Sequence, residues 1–593
     1  MNVPSPAPQL LPFLRWLRGY NRSLLAADAR AGATVGVLLI PQSMAYAALA
    51  GMPPITGLYA ALASLVVYAL LGTSNYSSVA PVAIDSLLVA AAVAPLAGGD
   101  QTRYVALAGL LAVLTGALQL GAGALRLGAL VSFISVPVIS GFTTAAALTI
   151  GASQLKDLLG VSGGGGSTSL LDTLTGLVPR LGETQPLTVV LGVGAIGALL
   201  LVRRVLPKAP GPLIVVTATA LVALLPGLAG HVAVLGEVPA GLPVPALPSL
   251  ALSDVQALLP SAAALALVSY LESVSTATAF ARRTRTRVNP NGELIGVGAA
   301  NVAAGFVRGF SVAAGFSRGA VNFGAGARTP MSGVLAAALI AVALVTLTPL
   351  LALMPKVALA AIIIVAVASL VDLRTAIAIA RVRRSDLVAL AATFLATLLL
   401  GAAQGLAVGV VVSLVVFLRQ SVRPHFPELG RVRGTARFRN LDRHDNALTD
   451  PAVALFRLDA PLYFANSRAV ADAITEATAE RTALRAVVLD ASSMPWVDFT
   501  GSEAIADLDE ELREAGVRLH LAALRGPVTD VLARGGLIDR LRTEGRVHAD
   551  VADAVAALGL DPDSPLRPGR DPWAARPGRD PRAPSPGRAV RPG

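Results

Sequence analysis

Residues 77–88, SSVAPVAIDSLL, and residues 315–327, GFSRGAVNFGAGA, put small polar residues where a membrane helix should be apolar, once in each half of a long hydrophobic region. Broken helices at matching places in two halves set free helix N-termini near the bilayer midplane. Unpaired N–H groups and the positive ends of the helix dipoles then face a common cavity. Such an arrangement favours an anion.

The rest of the chain supplies the frame for these two breaks. Of 593 residues, 54% are hydrophobic and 14% charged, which is membrane rather than soluble composition. Apolar stretches of spanning length, roughly 17–25 residues, recur from Ala33 to Leu418. Cysteine is absent, and His231, His425, His444, His520 and His548 lack ligand spacing, so no metal site is written here. The net charge of +11 lies in short loops and the tail rather than on one amphipathic face, which argues against nucleic acid. Met1 to Ala31 has no uninterrupted apolar core and carries Arg15, Arg18, Arg22 and Arg30, so a cytoplasmic N-terminus without a cleavable signal is expected.

Arginine clusters set the topology: 15–30, Arg203 and Arg204 with Lys208, 282–287, 381–384 and 419–433 should all face the cytoplasm. Between them fit fourteen segments, near 33–50, 55–72, 79–97, 103–124, 128–150, 187–206, 212–228, 258–281, 292–307, 316–328, 331–350, 355–371, 386–400 and 402–419. The third and tenth read as half-helices preceded by extended chain, equivalent places if seven spans are repeated upside down. The loops 153–184, with its SGGGGS run, and 229–256 read as flexible external connectors. The expected division is a cytoplasmic segment 1–30, a transport domain 31–420, a linker 421–450, a soluble α/β domain 451–560 and a disordered Pro, Gly and Arg-rich tail 561–593. In the soluble domain VALFRL (453–458), AVVLD (486–490) and VRLHLA (517–522) read as buried strands, with helices after Asn466, Thr500 and Gly526.

The stretch GVLLIPQSMAYAALAGMPPITGLYAA (36–61), followed by LLGTSNYSSVAPVAIDSLL (70–88), closely resembles the sulfate permease (SulP) family of anion transporters, the group that includes prestin and pendrin. NGELIGVGAANVAAGF (291–306) and GFSRGAVNFGAGARTPMSG (315–333) extend the resemblance, and the soluble domain resembles the STAS module of anti-sigma-factor antagonists. The resemblance covers roughly Arg30 to Leu560. It implies a polytopic α-helical fold of seven plus seven inverted spans, split into core and gate domains, with a cytoplasmic α/β STAS domain. It further implies a homodimer working as an elevator with alternating access, and substrates such as sulfate, bicarbonate, halides, oxalate or small dicarboxylates.

In the family the anion lies between the starts of the third and tenth spans, with help from the first. Carried onto this chain, the resemblance implies Gln42 and Tyr46, then Ala80, Pro81 and Val82, then Gly315, Phe316, Ser317 and Arg318. Pro81 suits a first helical turn, because its missing N–H would be unpaired anyway. Val82 and Ala83 would then direct their N–H groups at the cavity. Arg318 starts a half-helix, where a charge is costly in lipid and suggests function; its plain alternative is a loop arginine reaching the surface. Gln42 and Tyr46 are i and i+4 on one face, and their alternative is interhelical bonding worth about 0.6 kcal/mol.

Glu272 and Asp85 are candidates for proton coupling. A carboxylate beside an anion repels it unless protonated, so a proton and an anion would bind together. Family members thought to be proton-coupled carry an acid near Glu272, whose alternative is a structural hydrogen bond. Asp85's alternative is a first-turn carboxylate stabilising the helix dipole. In the STAS module Thr500 and Glu503 fit a capping box, and the module suits dimer contacts, trafficking or a cytoplasmic partner. The reading is a proton-coupled anion transporter of a bacterial inner membrane, multi-pass, with both termini cytoplasmic and no cofactor. An exchanger, a channel or a nucleobase permease, which shares the inverted-repeat fold, is the rival; no catalytic triad or nucleotide loop suggests an enzyme.

Overall fold

In the computed structural model the described residues are 12–128, 135–161, 169–206, 209–225, 232–236, 238–248, 251–432, 435, 437–444, 447–479, 481–559 and 567–568. Two units divide the chain, one up to Leu414 and one from Val415.

Among the described residues of the first unit the main helices are α1 Arg22–Leu49, α2 Pro54–Leu71, α3 Ala83–Ala97, α4 Gln101–Ala124, α5 Val136–Ser153, α6 Pro186–Val205 and α7 Gly211–Ala223. The second half contributes α8 Leu252–Thr284, α9 Pro290–Phe306, α10 Phe316–Gly324, α11 Met331–Thr346, α12 Lys356–Ala368 and α13 Arg384–Leu400, and α14 Ala402–Val422 runs across the boundary at Leu414 into the second unit. Their starts follow local chemistry. Asn21, Asp100 and Asn289 each accept a first-turn N–H, and Pro54, Pro186 and Pro290 open helices where no donor is needed.

Packing separates two groups. Helices α1–α4 pack with α8–α11, and α5–α7 pack with α12 and α13; contacts of α1 with α7 and α12, and of α3 with α5, join them. These are the core and gate of the expected fold. The seam between α4 and α9 is closed by glycine: a Cβ on Gly116 would lie 2.4 Å from the Gly298 carbonyl, and one on Gly305 would lie 2.5 Å from that of Gly109. Small residues let membrane helices approach closely, so the GVGAANVAAG run is a packing surface.

Several boundaries differ from the sequence reading. Helix α1 starts inside the segment 1–30, because Asp28 turns inward: it accepts the Arg328 and Thr329 N–H groups at 2.7 and 3.1 Å and the Thr329 hydroxyl at 2.6 Å. Helix α8 begins at Leu252, ahead of the expected 258, and takes Pro260 into its interior. The loops read as flexible carry structure of their own. Leu155–Leu159 and Leu170–Leu177 are helical, while 162–168, with the SGGGGS run, lie outside the described residues. Leu235 N–H donates to Met354 O, and Lys356 N–H to Ala233 O, which pins the second loop.

The second unit contains a parallel sheet in the order β6 Val453–Arg457, β7 Ala486–Asp490, β8 Arg518–Ala522, β9 Val547–His548. Helices α15 Ser467–Ala479, α16 Phe499–Glu514, α17 Gly526–Arg534, α18 Leu537–Thr543 and α19 Val551–Ala557 accompany it. One face of the sheet buries Phe456, Val487, Leu489, Leu519 and Leu521, and the other Leu455, Val488 and Ala522, the period-two pattern of strands covered on both sides. The stretch 421–450 is more than a linker. It forms β3 Leu429–Val432, β4 Phe438–Asn440 and β5 Ala447–Thr449, an antiparallel sheet that β10 Arg567–Pro568 joins. Its alternation was masked by arginine content. Apart from 567–568, the tail 561–593 lies outside the described residues. The cap of α16 is Asp498, which accepts the Gly501 N–H at 2.7 Å; Thr500 is one residue inside the helix and exposed, so the expected capping box is displaced by a stronger acceptor two residues earlier.

Candidate anion site between two helix starts

Two residues of β1 (Val79–Ala80) pair antiparallel with two of β2 (Ala313–Ala314), in the register Val79 to Ala314 and Ala80 to Ala313. Short helices follow directly, α3 from Ala83 and α10 from Phe316, so they leave this ribbon in opposite directions with the ribbon between their starts. Val82 and Gly315 occupy the N-cap positions and neither side chain caps. The first-turn N–H groups of both helices are therefore left over for a ligand. Pro81 stands before the N-cap rather than in the first turn, and Val82 is extended; pairing of β1 holds the chain straight two residues longer than the sequence reading allowed. The freed donors of α3 begin at Ala83.

Arg318 is 2% exposed, which removes the surface-reaching alternative. Its Nη1 donates to Pro81 O at 2.8 Å, and Nη2 to Ala80 O at 3.0 Å, Ala313 O at 3.1 Å and Ser78 O at 3.3 Å. The guanidinium thus ties both strands together and leaves its positive charge at the ribbon. Gly315 makes room for it: a Cβ there would meet Cζ at 3.0 Å.

Phe316 and Ser317 are exposed in the first turn of α10, with Phe316 stacked on Phe280 at 5.6 Å. Phe323 and Tyr76 continue that aromatic wall. On α1, Gln42 Nε2 donates to the Tyr46 hydroxyl at 3.0 Å, while Gln42 Oε1 has no partner. Glu272 on α8 is half-buried and within Coulombic range of Arg318 and Tyr46. Asp85, in the first turn of α3, is fully buried; its Oδ2 meets the Ser311 hydroxyl at 3.2 Å, and Oδ1 has no partner. Ala80 and Pro81 contribute backbone to the ribbon, Val82 a buried apolar side chain.

A buried polar network that the sequence reading missed holds β2 in place. Asn301 brackets Val312, accepting its N–H at 2.9 Å and donating to its carbonyl at 3.0 Å. Ser273 Oγ accepts the Ala314 N–H at 3.0 Å, and Thr276 donates to Ala314 O at 3.2 Å. Gln119 links Asn301 to Ser269. The available signal was an asparagine in a run of glycine, alanine and valine within a span, a costly placement in lipid.

The family model for the sulfate permease family matches residues 25–393, and that for the STAS domain residues 445–554. The chain belongs to the sulfate permease family. Members of this family are transporters rather than enzymes, and this member is a multi-pass membrane protein with a STAS domain. A probable sulfate transporter of Mycobacterium tuberculosis is 37% identical over 93% of this chain and 98% of its own length. The chloroplastic sulfate transporter 4.1 of Arabidopsis thaliana is 35% identical over 91% of this chain and 82% of its own. Among solved structures, the murine solute carrier 26 family member A9 anion transporter in the inward-facing state superposes with a TM-score of 0.86 at 24% identity, covering 93% of this chain and 94% of that one. The transmembrane domain of a cyanobacterial bicarbonate transporter gives 0.57 at 24% identity, covering 67% of this chain and 98% of that one.

Proposed function

We propose that this member of the sulfate permease family is a secondary active transporter that carries sulfate, or an inorganic anion or dicarboxylate of similar size, together with protons. The observation that carries the reading is the pair of uncapped helix starts flanking a ribbon fastened by a buried arginine, with two acids, Glu272 and Asp85, within Coulombic range of that arginine. The starts supply neutral N–H donors, Arg318 supplies charge, and Glu272 and Asp85 make anion affinity depend on protonation. Gln42, Tyr46, Ala80, Pro81, Val82, Gly315, Phe316 and Ser317 line or shape the site. Sulfate as cargo follows the names of the relatives in Mycobacterium and Arabidopsis.

The division into α1–α4 with α8–α11 and α5–α7 with α12 and α13 supports an elevator motion in which the first group, holding the site, slides against the second. A homodimer in the inner membrane of a bacterium is the proposed assembly. Arginine pairs end α6 and α8, further arginines lie between α12 and α13, and Arg419 is in the last turn of α14. Each cluster thus follows an even-numbered helix, which supports cytoplasmic termini.

The test is radiolabelled sulfate uptake into proteoliposomes with and without an inward proton gradient. Each pH unit supplies about 1.4 kcal/mol per coupled proton, enough for roughly tenfold accumulation. Accumulation that needs the gradient supports symport; equal fluxes with and without it would establish exchange or a channel.

A further inference from the structure

Among the described residues of the second unit beyond α14, three large apolar side chains are exposed: Phe464, Trp496 and Phe499, at 73, 45 and 77%. All three stand at one end of the parallel sheet, on the connections that follow β6 and β7 and at the first residue of α16. Tyr463 joins them. Its ring meets Phe464 edge-on with centroids 5.4 Å apart and lies 5.6 Å from that of Trp496. Asp498 accepts the Phe464 N–H at 3.0 Å, which brings Phe499, the next residue, to the same rim. The other large apolar side chains of this domain turn inward, so three exposed aromatics in one place mark a surface that something covers.

The last turn of α14 leads to this patch. Ser421 shares a hydrogen bond of 2.5 Å with the Tyr463 hydroxyl, inside the second unit. The stretch Gln404–Val422 is long and apolar enough to cross a membrane. Its exposed side chains change character near the end: Leu414, Val415 and Leu418 are apolar, while Arg419, Gln420 and, just past the helix, Arg423 are polar. The hydrocarbon edge therefore falls at about Leu418, and Ser421 lies about 4.5 Å further along the axis at 1.5 Å per residue. The headgroup layer on one side of a bilayer is about 5–7 Å deep. Tyr463 is thus tied to the chain at headgroup depth, where tyrosine and tryptophan rings are enriched.

The charges around the patch point the same way. Arg419 and Arg423 are exposed at the helix exit, Arg468 is exposed in the first turn of α15, and exposed Arg525 donates to Ser492 O at 2.7 Å on the loop that carries Trp496. Nearby acids are engaged: Asp459 pairs with Arg457 and faces His425, and Asp498 caps α16. Glu503, a turn along α16, stands against four arginines. Exposed aromatics rimmed by arginine and continuous with the lipid-facing side of α14 fit phosphate-bearing headgroups.

We propose that this end of the STAS domain docks on the bilayer surface from which α14 emerges, with Phe464, Trp496 and Phe499 in the headgroup layer and the arginines on anionic lipid phosphates. The domain is then held to the membrane twice, once through α14 and once through the patch. The inference is independent of the transported anion and of its coupling.

The experiment uses the full chain with Trp16→Phe and Trp573→Phe, which leaves Trp496 as the sole tryptophan, in nanodiscs of phosphatidylcholine and phosphatidylglycerol. Lipid carrying a nitroxide on its headgroup is expected to quench Trp496 fluorescence, while acrylamide in the water quenches it weakly. Adding Phe464→Ser and Phe499→Ser should reduce the lipid quenching and raise that by acrylamide, with the melting temperature held because both side chains are exposed. Should those substitutions disturb folding, exchanging phosphatidylglycerol for phosphatidylcholine carries the test, and quenching by the labelled lipid must weaken. Strong acrylamide quenching without any effect of the labelled lipid would show the patch facing water. Protection from both quenchers would show a protein surface over it, a second copy or another chain. Either result overturns the proposal, and so does lipid quenching that is unchanged by both the serine substitutions and the loss of anionic lipid.

Discussion

Replacing Arg318 by lysine keeps the positive charge and removes the guanidinium fork. Four carbonyls lie 2.8–3.3 Å from two nitrogens, and they belong to residues 78, 80, 81 and 313, the two sides of the ribbon. An ammonium has three N–H bonds on a single nitrogen and cannot straddle that arrangement. One of the four bonds is lost on this count. At about 1.5–3 kcal/mol for a hydrogen bond to a charged group, the loss is about 1.5–3 kcal/mol, against the roughly 5–15 kcal/mol that holds a typical domain folded. In detergent, Arg318→Lys should lower the melting temperature by on the order of 5–10 °C and weaken sulfate binding together with it, since the helix starts lose their shared anchor. Melting by intrinsic fluorescence and sulfate affinity on the same preparation check both. A melting temperature unchanged while affinity collapses would mean that the guanidinium serves the anion directly and that its bonds to the ribbon are not what positions the site.

Other substitutions test separate parts of the fold. Gly116→Ala should cost about 1–3 kcal/mol by forcing α4 from α9, while Gly121→Ala, with nothing within 4 Å of the added methyl, should be near neutral in the same melting assay. Asp498→Ala should remove the cap of α16 at a cost of about 1 kcal/mol, and Thr500→Ala should leave the Gly501 amide as protected from exchange as in wild type. His520 lies 2.9 Å from His548, and burial first, then its neighbours His548 and Arg546, push its pKa down from 6.5 to about 4. The unfolded chain therefore takes up a proton that the folded STAS domain refuses. The stability contributed by neutral His520 is complete above pH 6.5 and is lost as pH falls toward 4. Hydrogen exchange in β8, corrected for intrinsic rates, should accelerate across that window, and His520→Asn should flatten the response.

The helical repeat, the half-helices and the α/β domain were legible because each leaves a local mark: span-length apolar runs, polar breaks, and period-two strands. The ribbon was not. Two residues of β1 pair with two residues far along the chain, and nothing in SVAP or VAAG announces that partner; the pairing moved the start of α3 past Pro81 to Ala83. Asp28 hid for the opposite reason. It stands among arginines, so its stretch read as a cytoplasmic segment, although its carboxylate is satisfied by two backbone N–H groups and a hydroxyl from residues 328–329. Asn301 and Ser311 were absorbed into a glycine-rich packing run and an ordinary loop. Residues 429–449 read as linker because arginines at 431, 437 and 439 outweighed the alternation that makes strands.

The central claim is that the anion sits between the starts of α3 and α10. Selenate, an isostere of sulfate with strong anomalous scattering, locates the anion without reference to transport. Crystals of the full chain grown with selenate should give an anomalous peak within hydrogen-bond distance of the first-turn amides of both helices, from Ala83 and from Phe316 onward, and excess sulfate should abolish it. A sulfate-displaceable peak elsewhere, with none between the two starts, would contradict the account.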